Sequence, residues 1–268
     1  MDDQEFRQLL EYLQLSWKGY RKVRKGVKKR IRRHMKQLEI RDMGGYLREL
    51  ENSTDARAEC DRLMTVSISR FFRDRGFWSM LKDKILPDLI REHTDIINVW
   101  SAGCACGEEV YSLKIVWDRL KSQYPRLPAI KIMATDLNPV HLDRAKSGIY
   151  TSSSLKELPG ELRSAYFDIT SGKTLFSVKP GLKKDISWKH HSLHSDPPGL
   201  DCHLIFLRNN LLTYYQDRLK KMTLEKILDR LRPTGFLIVG SHEHLPADIP
   251  DLIPYSNCSY VFRKNDIQ

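Results

Sequence analysis

From residue 95 onward the chain alternates apolar strand-like runs with amphipathic helical ones, and this alternation limits the fold more than any other feature. "IINVWSA" reads as a strand and "EEVYSLKIVWDRLKSQ" as a helix; "AIKIMATD" and "PVHLDRAKSGIY" repeat the pair. "HLIFLRN" and the periodic "YQDRLKKMTLEKILDRLRP" repeat it again, and "GFLIVGS" and "SYVFRK" add two closing strands. Strands alternating with helices form a mostly parallel sheet covered on both faces. Residues 166–190, "YFDITSGKTLFSVKPGLKKDISWKH", break the rhythm with short strand-like pieces around Gly172 and Pro180-Gly181. They predict a small antiparallel insertion.

The first part of the chain is different. Phe6, Leu9, Leu10 and Leu13 fall at helical spacing, and Val23, Val27, Ile31 and Met35 recur every fourth residue. Residues 1–64 therefore predict an all-helical unit, 65–92 a connector with a linking helix, and 93–268 the sheet domain. Between Lys18 and Lys36 stand eleven Lys and Arg and no acid, within a chain of net charge +11. Such asymmetry calls for an anionic partner: nucleic acid, a lipid surface or an acidic protein. No apolar run reaches the ~18 residues of a membrane span. The acidic start "MDDQEFRQLL" lacks the layout of a secretory signal. Five scattered cysteines fit reduced thiols in a cytoplasm better than a disulfide framework.

The chemistry concentrates after the first strand. In sheets of this kind ligands bind beyond the carboxyl ends of the strands. The turn "SAGCACGE" has Gly103 and Gly107 only, so it lacks the G-x-G-x-x-G dinucleotide fingerprint. A helix N-terminus is a natural phosphate seat, yet Glu108 and Glu109 fill it with carboxylates, which favour a cationic or neutral ligand such as a sulfonium with an α-amino group. Stabilisation of the helix dipole is the plainer role for the same two residues. The next strand ends in Asp136, placed to bind ribose hydroxyls or to cap the helix starting near Asn138. Cys104 and Cys106 form a C-x-C, and His190, His191, His194, His242 and His244 cluster in sequence. Zinc sites favour paired C-x-x-C groups, so no metal is expected.

With these residues in view, the chain resembles the CheR-type chemoreceptor methyltransferases, which esterify receptor glutamates using S-adenosylmethionine and release S-adenosylhomocysteine. "YRKVRKGVKKRIRRHMKQLEIRDMGGYLREL" looks like that family's basic helical domain, and "SISRFFRDRGFWSML" like its interdomain segment. "SAGCACGEEVYSL", "ATDLNPVHLDRAKSGIY", "LIFLRNNLLTYY" and "LRPTGFLIVGSHEHLP" follow in the family's order. The resemblance implies a Rossmann-like S-adenosylmethionine-dependent fold with a mostly parallel seven-stranded sheet. Further, it implies a protein-glutamate O-methyltransferase acting in the cytoplasm on an acidic helical protein, such as a chemoreceptor cytoplasmic domain. It places Gly103 and Glu108 at the methionine and amino end of the cofactor, Arg73 at the methionine carboxylate or the incoming substrate, Asp136 at the ribose, and Ser192 and Leu193 at the adenine, with Ser67 and Ser69 also among the cofactor-binding residues. Arg208 and Asn209 would face the transferred methyl. Arg73, Arg208 and Tyr214 would be the catalytic set. The insertion at 166–190 matches a subdomain that some members use to dock a receptor peptide.

Several positions depart from the family pattern. Ser67 and Ser192 stand where Asn is usual, Val110 replaces Pro, His203 replaces Asp, and Thr213 takes a Tyr position. These departures leave room for another acceptor. An RNA methyltransferase using the basic helix is the first alternative, though no RRM or KH motif accompanies it. A non-catalytic adaptor that holds S-adenosylmethionine is the second.

Overall fold

In the computed structural model, which describes residues 1–170, 174–246 and 249–266, the chain divides into two compact units. The first comprises Met1–Val66 and Asn209–Leu224. Its helices are α1 (Asp3–Tyr12), α2 (Trp17–Tyr20), α3 (Arg24–Gln37), α4 (Met43–Asn52) and α5 (Thr54–Met64). α1 begins where the Asp2 side chain accepts the amides of Gln4 and Glu5 while Glu5 answers to the Asp2 amide, a reciprocal cap. Phe6, Leu9 and Leu10 of α1 meet Val27, Ile31 and Met35 of α3 in one buried cluster. The basic run does not form one helix: α2 and α3 are separate, and Val23 caps α3.

The second stretch of this unit, Asn209–Leu224, extends it beyond residues 1–64. The Ser16 amide donates to the Tyr214 carbonyl (2.8 Å) and the Gln216 amide to Gln14 (2.9 Å). Gly19 makes this possible, because a Cβ there would stand 2.1 Å from the Thr213 carbonyl oxygen.

The second unit, Ser67–Arg208 with Glu225–Gln268, holds the sheet and also the linking segment. After α6 (Arg75–Met80), a π-helical turn at Leu81–Ile85 leads into α7 (Leu86–Glu92), where Pro87 has no amide to give. Phe77, Leu81, Ile85, Leu86 and Leu89 are all buried in the sheet's core, which ties this segment to the second unit. Each such side chain contributes about 1.5–3 kcal/mol through burial.

The strands are β1 (Ile96–Ala102), β2 (Ala129–Asp136), β3 (Ile149–Thr151), β4 (Phe167–Ile169), β5 (Leu175–Val178), β6 (Ile186–His190), β7 (Cys202–Leu207), β8 (Leu231–Val239), β9 (Leu252–Pro254) and β10 (Val261–Lys264). Seven of them form one sheet in the order β6-β2-β1-β7-β8-β10-β9, parallel from β6 through β8, with β10 antiparallel to both neighbours. The order reverses between β1 and β7. Helices α8 (Glu108–Leu120) and α9 (Pro139–Ser147) follow β1 and β2; α10 (Gly160–Tyr166), α11 (Pro180–Lys183), α12 (Leu211–Tyr214) and α13 (Asp217–Leu228) complete the chain.

The insertion differs from the 166–190 expected. A three-stranded antiparallel sheet, β3-β5-β4, recruits residues 149–151 ahead of that segment. Its far end, "ISWKH", is β6, paired parallel with β2 from Ile186 to His190. The even alternation there suits either sheet, and only the pairing partner decides. Gly172 lies outside the described residues. Among the described residues, no helix is long and apolar enough to cross a membrane.

Candidate functional site

The turn between β1 and α8 is made of left-handed residues: Gly103 (φ 85°), Ala105 (φ 49°) and Gly107 (φ 88°). Two anchors hold it. The amides of Gly103 and Cys104 both donate to the Thr135 carbonyl (2.9 Å each), and the Ala105 amide donates to Oδ2 of Asp136 (2.9 Å). Gly107 is required twice over. Its φ suits glycine, and a Cβ would stand 2.9 Å from the Ala145 Cβ and 3.0 Å from Trp188.

Glu108 and Glu109 open α8 and do different things. The Glu108 side chain is buried at 2% exposure, its Oε1 lies 3.5 Å from the Ser154 hydroxyl, and its Oε2 is buried with no hydrogen-bond partner among the described residues. Native proteins seldom leave a buried carboxylate oxygen so. Glu109 accepts from the Ser101 hydroxyl (2.9 Å) and from Nη1 of Arg208 (3.1 Å). Nη2 of Arg208 donates to Asp74 (2.6 Å), and its guanidinium covers the Phe77 ring at 4.5 Å. Arg208 follows β7, so this two-carboxylate clamp sits at the point where the strand order reverses. Dipole stabilisation is thus not all that the two glutamates do.

Asp136 ends β2. Its Oδ1 accepts the Asn138 amide (2.8 Å) and stands 3.4 Å from Nδ1 of His141. The helix cap is Asn138 itself, whose side chain accepts the Val140 amide. The loop after β6 joins here through the His191 amide, which donates to the Asp136 carbonyl (3.1 Å). Ser192 and Leu193 follow at once, half-buried.

The segment before α6 carries more expected residues. The Ser67 hydroxyl lies against the Cys106 thiol, and Ser69 is half-buried. Arg73 donates from Nη1 to the Ile68 carbonyl (2.8 Å). Left-handed Phe72 (φ 53°) and Asp74 (φ 64°) flank it, and the Phe72 amide is pinned to the Ser112 hydroxyl on α8 (3.0 Å). Burial pushes the Cys104 and Cys106 thiols above their ordinary range. Gly103, Glu108, Asp136, Ser192, Leu193 and Arg208 thus share the carboxyl ends of β1, β2, β6 and β7. Asn209 and Tyr214 fall in the first unit, where Tyr214 packs on Tyr20 at 5.0 Å.

Sequence reading missed Asp74, Ser154 and His141, and named Glu109 without finding its partner. Asp74 adjoins an expected arginine and His141 stands one helical turn past a cap, which are the only signals either offers.

The family model described as CheR methyltransferase, SAM binding domain, matches residues 67–262. A chemotaxis protein methyltransferase of Listeria innocua is 33% identical over 237 residues, covering 88% of this chain and 87% of that one. The putative methyltransferase Cher3 of Pseudomonas putida is 30% identical over 251 residues, 90% of this chain and 89% of that one. An uncharacterized 104.1 kDa protein of Rhodobacter capsulatus is 29% identical over 221 residues, and there the match spans 82% of this chain but 23% of the longer protein. The parallel sheet, the acidic residues at the carboxyl ends of its strands and these matches agree: the chain belongs to the CheR methyltransferase family, with an S-adenosylmethionine-binding domain over residues 67–262.

Proposed function

We propose that the chain methylates glutamate side-chain carboxylates of a protein, and that the acceptor is an acidic helical signalling protein of the chemoreceptor kind. The observation that carries this reading is the Arg208 clamp. A planar guanidinium, 5% exposed, is held in a fixed pose by Glu109 and Asp74. Arginine forks match carboxylates two bonds at a time. An acceptor carboxylate arriving here meets the guanidinium edge that the half-exposed Asp74 takes in this structure.

The residues present fit the cofactor. The buried, unpartnered Oε2 of Glu108 gives an ammonium group the partner it lacks, and Asp136 keeps acceptor capacity for ribose hydroxyls. Together Glu108, Glu109, Asp136 and Asp74 outnumber Arg208 and Arg73, which suits a cationic ligand and disfavours a pyrophosphate. Ser67, Ser69 and Arg73 border the methionine end, the backbone at Gly103 comes close to it, and Ser192 with Leu193 borders the adenine.

S-adenosylmethionine supplies a methyl group already activated by its sulfonium. The protein's task is alignment, which the Arg208 clamp and the pinned Phe72–Asp74 segment perform. A carboxylate with an ordinary pKa near ~4.3 is ionised at neutral pH and needs no general base. The exposed cations of α3, among them Lys25, Lys29, Arg32, Arg33 and Lys36, support an acidic acceptor.

The test incubates the chain, methyl-labelled S-adenosylmethionine and a chemoreceptor cytoplasmic fragment. Label on the fragment, released as methanol by base, is expected. Ribonuclease-sensitive label would overturn the reading in favour of RNA. Bound S-adenosylhomocysteine with no label on any acceptor would overturn it in favour of a sensor.

A further inference from the structure

Asp136 has a neighbour that the cofactor reading does not use. His141, on the first turn of α9, brings Nδ1 to 3.4 Å from Oδ1 of Asp136, with the two side chains only 19% and 12% exposed. Which ring nitrogen carries the proton follows from Asn138. Its Oδ1 accepts the Val140 amide (3.1 Å), which fixes the way the amide faces and turns Nδ2 toward His141. That Nδ2 stands 3.4 Å from Nε2 of His141, and an amide nitrogen can only donate. Nε2 is therefore the acceptor, the hydrogen is on Nδ1, and Nδ1–H faces the Asp136 carboxylate.

We propose that His141 is a positioning residue for cofactor binding: it holds the Asp136 carboxylate in the rotamer that meets the ribose. The proposal rests on the assignment of Asp136 to the ribose. Two backbone amides already reach Asp136, from Ala105 on one oxygen and Asn138 on the other. Each oxygen thus has one backbone donor, and both donors come from loops, while the last side-chain torsion of aspartate is intrinsically soft. The Nδ1 contact at 3.4 Å adds a side-chain support from α9 to the two backbone ones. The relay Asn138, His141, Asp136 couples the helix cap to the cleft, as outer partners orient ligating groups elsewhere.

Calorimetric titration with S-adenosylhomocysteine, and with an analogue lacking both ribose hydroxyls, tests this on the full chain. His141→Ala should weaken S-adenosylhomocysteine about fivefold, the loss of one modest polar contact to Asp136. The same substitution should cost less than about twofold with the dideoxy analogue, because the hydroxyls that Asp136 would hold are gone. His141→Asn, whose amide reaches the place of Nδ1–H, should restore binding to within about twofold of the parent. If His141→Ala does not fold, His141→Gln takes its place, since its amide reaches the Nε2 position instead. A purely structural role would weaken both ligands equally, and that result overturns the proposal. Unchanged binding of S-adenosylhomocysteine by His141→Ala overturns it as well. Asp136→Ala separates the two levels. If that variant binds as the parent does, the ribose assignment has failed; if it weakens while the His141 variants do not, only the His141 role has failed.

Discussion

The helical unit and the sheet unit treat charge in opposite ways. In α3 most cations point outward: Val27, Ile31 and Met35 are buried while Lys25, Lys29, Arg32, Arg33 and Lys36 are exposed, and Arg30 turns in, onto the Leu63 and Thr65 carbonyls. In the sheet unit, charges that belong to the site point inward, with Glu108 at 2% exposure and the Arg208 side chain at 5%. A solvated charge costs little and says only that some anion would be welcome. A buried charge must have a partner, so its surroundings state what is missing. The two units thus carry information of different quality about function, and substitutions in each should respond differently.

The largest response belongs to Arg208. Arg208→Met keeps the contact with Phe77 but leaves Glu109 and Asp74 without their counter-charge. Breaking a buried pair on one side costs about 3 kcal/mol, somewhat less here because Asp74 reaches solvent. Denaturant melts should show that loss, and methyl transfer should fall at least about a hundredfold. A melt within about 0.5 kcal/mol of the parent would mean that inward charges in this unit are as loosely held as those on α3.

A second inward group makes stability depend on pH. His203 is buried at 3% exposure, its Nδ1 accepts the Asn98 amide (3.0 Å), and its ring lies 4.2 Å from that of His93. Burial first, then His93 and Arg232, lower its pKa from 6.5 to about 4. A base with a lowered native pKa makes the unfolded chain the better proton acceptor, so stability is full above pH ~6.5 and is lost progressively as pH drops towards ~4. His93, lowered chiefly by burial, acts in the same direction. His203→Asn keeps an acceptor for the Asn98 amide and should flatten that part of the pH profile in urea melts. An unchanged profile would place the acid sensitivity elsewhere.

Glu108 gives a smaller effect of the opposite sign. Its Oε2 has no hydrogen-bond partner among the described residues, so Glu108→Gln removes a buried carboxylate and should leave stability unchanged or raised by about 1 kcal/mol. The same variant should bind S-adenosylhomocysteine about tenfold more weakly, read by calorimetry, since a charge-assisted bond to the ammonium is lost. Lower stability with unchanged affinity would make Glu108 a structural residue.

Much of this architecture is legible because the sheet unit obeys local rules. The order of β1, α8, β2 and α9 follows from hydrophobic period and helix caps, and "GCACGEE" announces a turn of small residues ahead of two acids. The site itself is less legible, since its pairs span the sequence: Arg208 meets Glu109 ninety-nine residues away and Asp74 one hundred and thirty-four away. Nothing local tells a solvated glutamate from a clamped one. The insertion shows the same limit, because β3 and β6 are short alternating pieces and pairing alone assigns them to different sheets. The segment Asn209–Leu224 joins the helical unit through backbone bonds to residues 14–16, a contact no periodicity encodes.

The smallest effect on stability falls on α3, and it tests the outward half of the comparison. Lys29 and Arg33 are exposed, and four residues apart they share one face of the helix. Replacing both by glutamate keeps a like-charged pair at that spacing, so unfolding free energy should stay within about 0.5 kcal/mol of the parent. Binding of an acidic helical acceptor should suffer instead. The apparent KM for the acceptor should rise about tenfold at low ionic strength while kcat and the affinity for S-adenosylhomocysteine hold. Because the Debye length shrinks from ~30 Å at 0.01 M to ~10 Å at 0.1 M, the gap between variant and parent should narrow as salt is added. A KM that ignores both the charge reversal and the salt would show that the basic helix does not recognise the acceptor. The inward carboxylates and Arg208 would then have to account for acceptor choice alone.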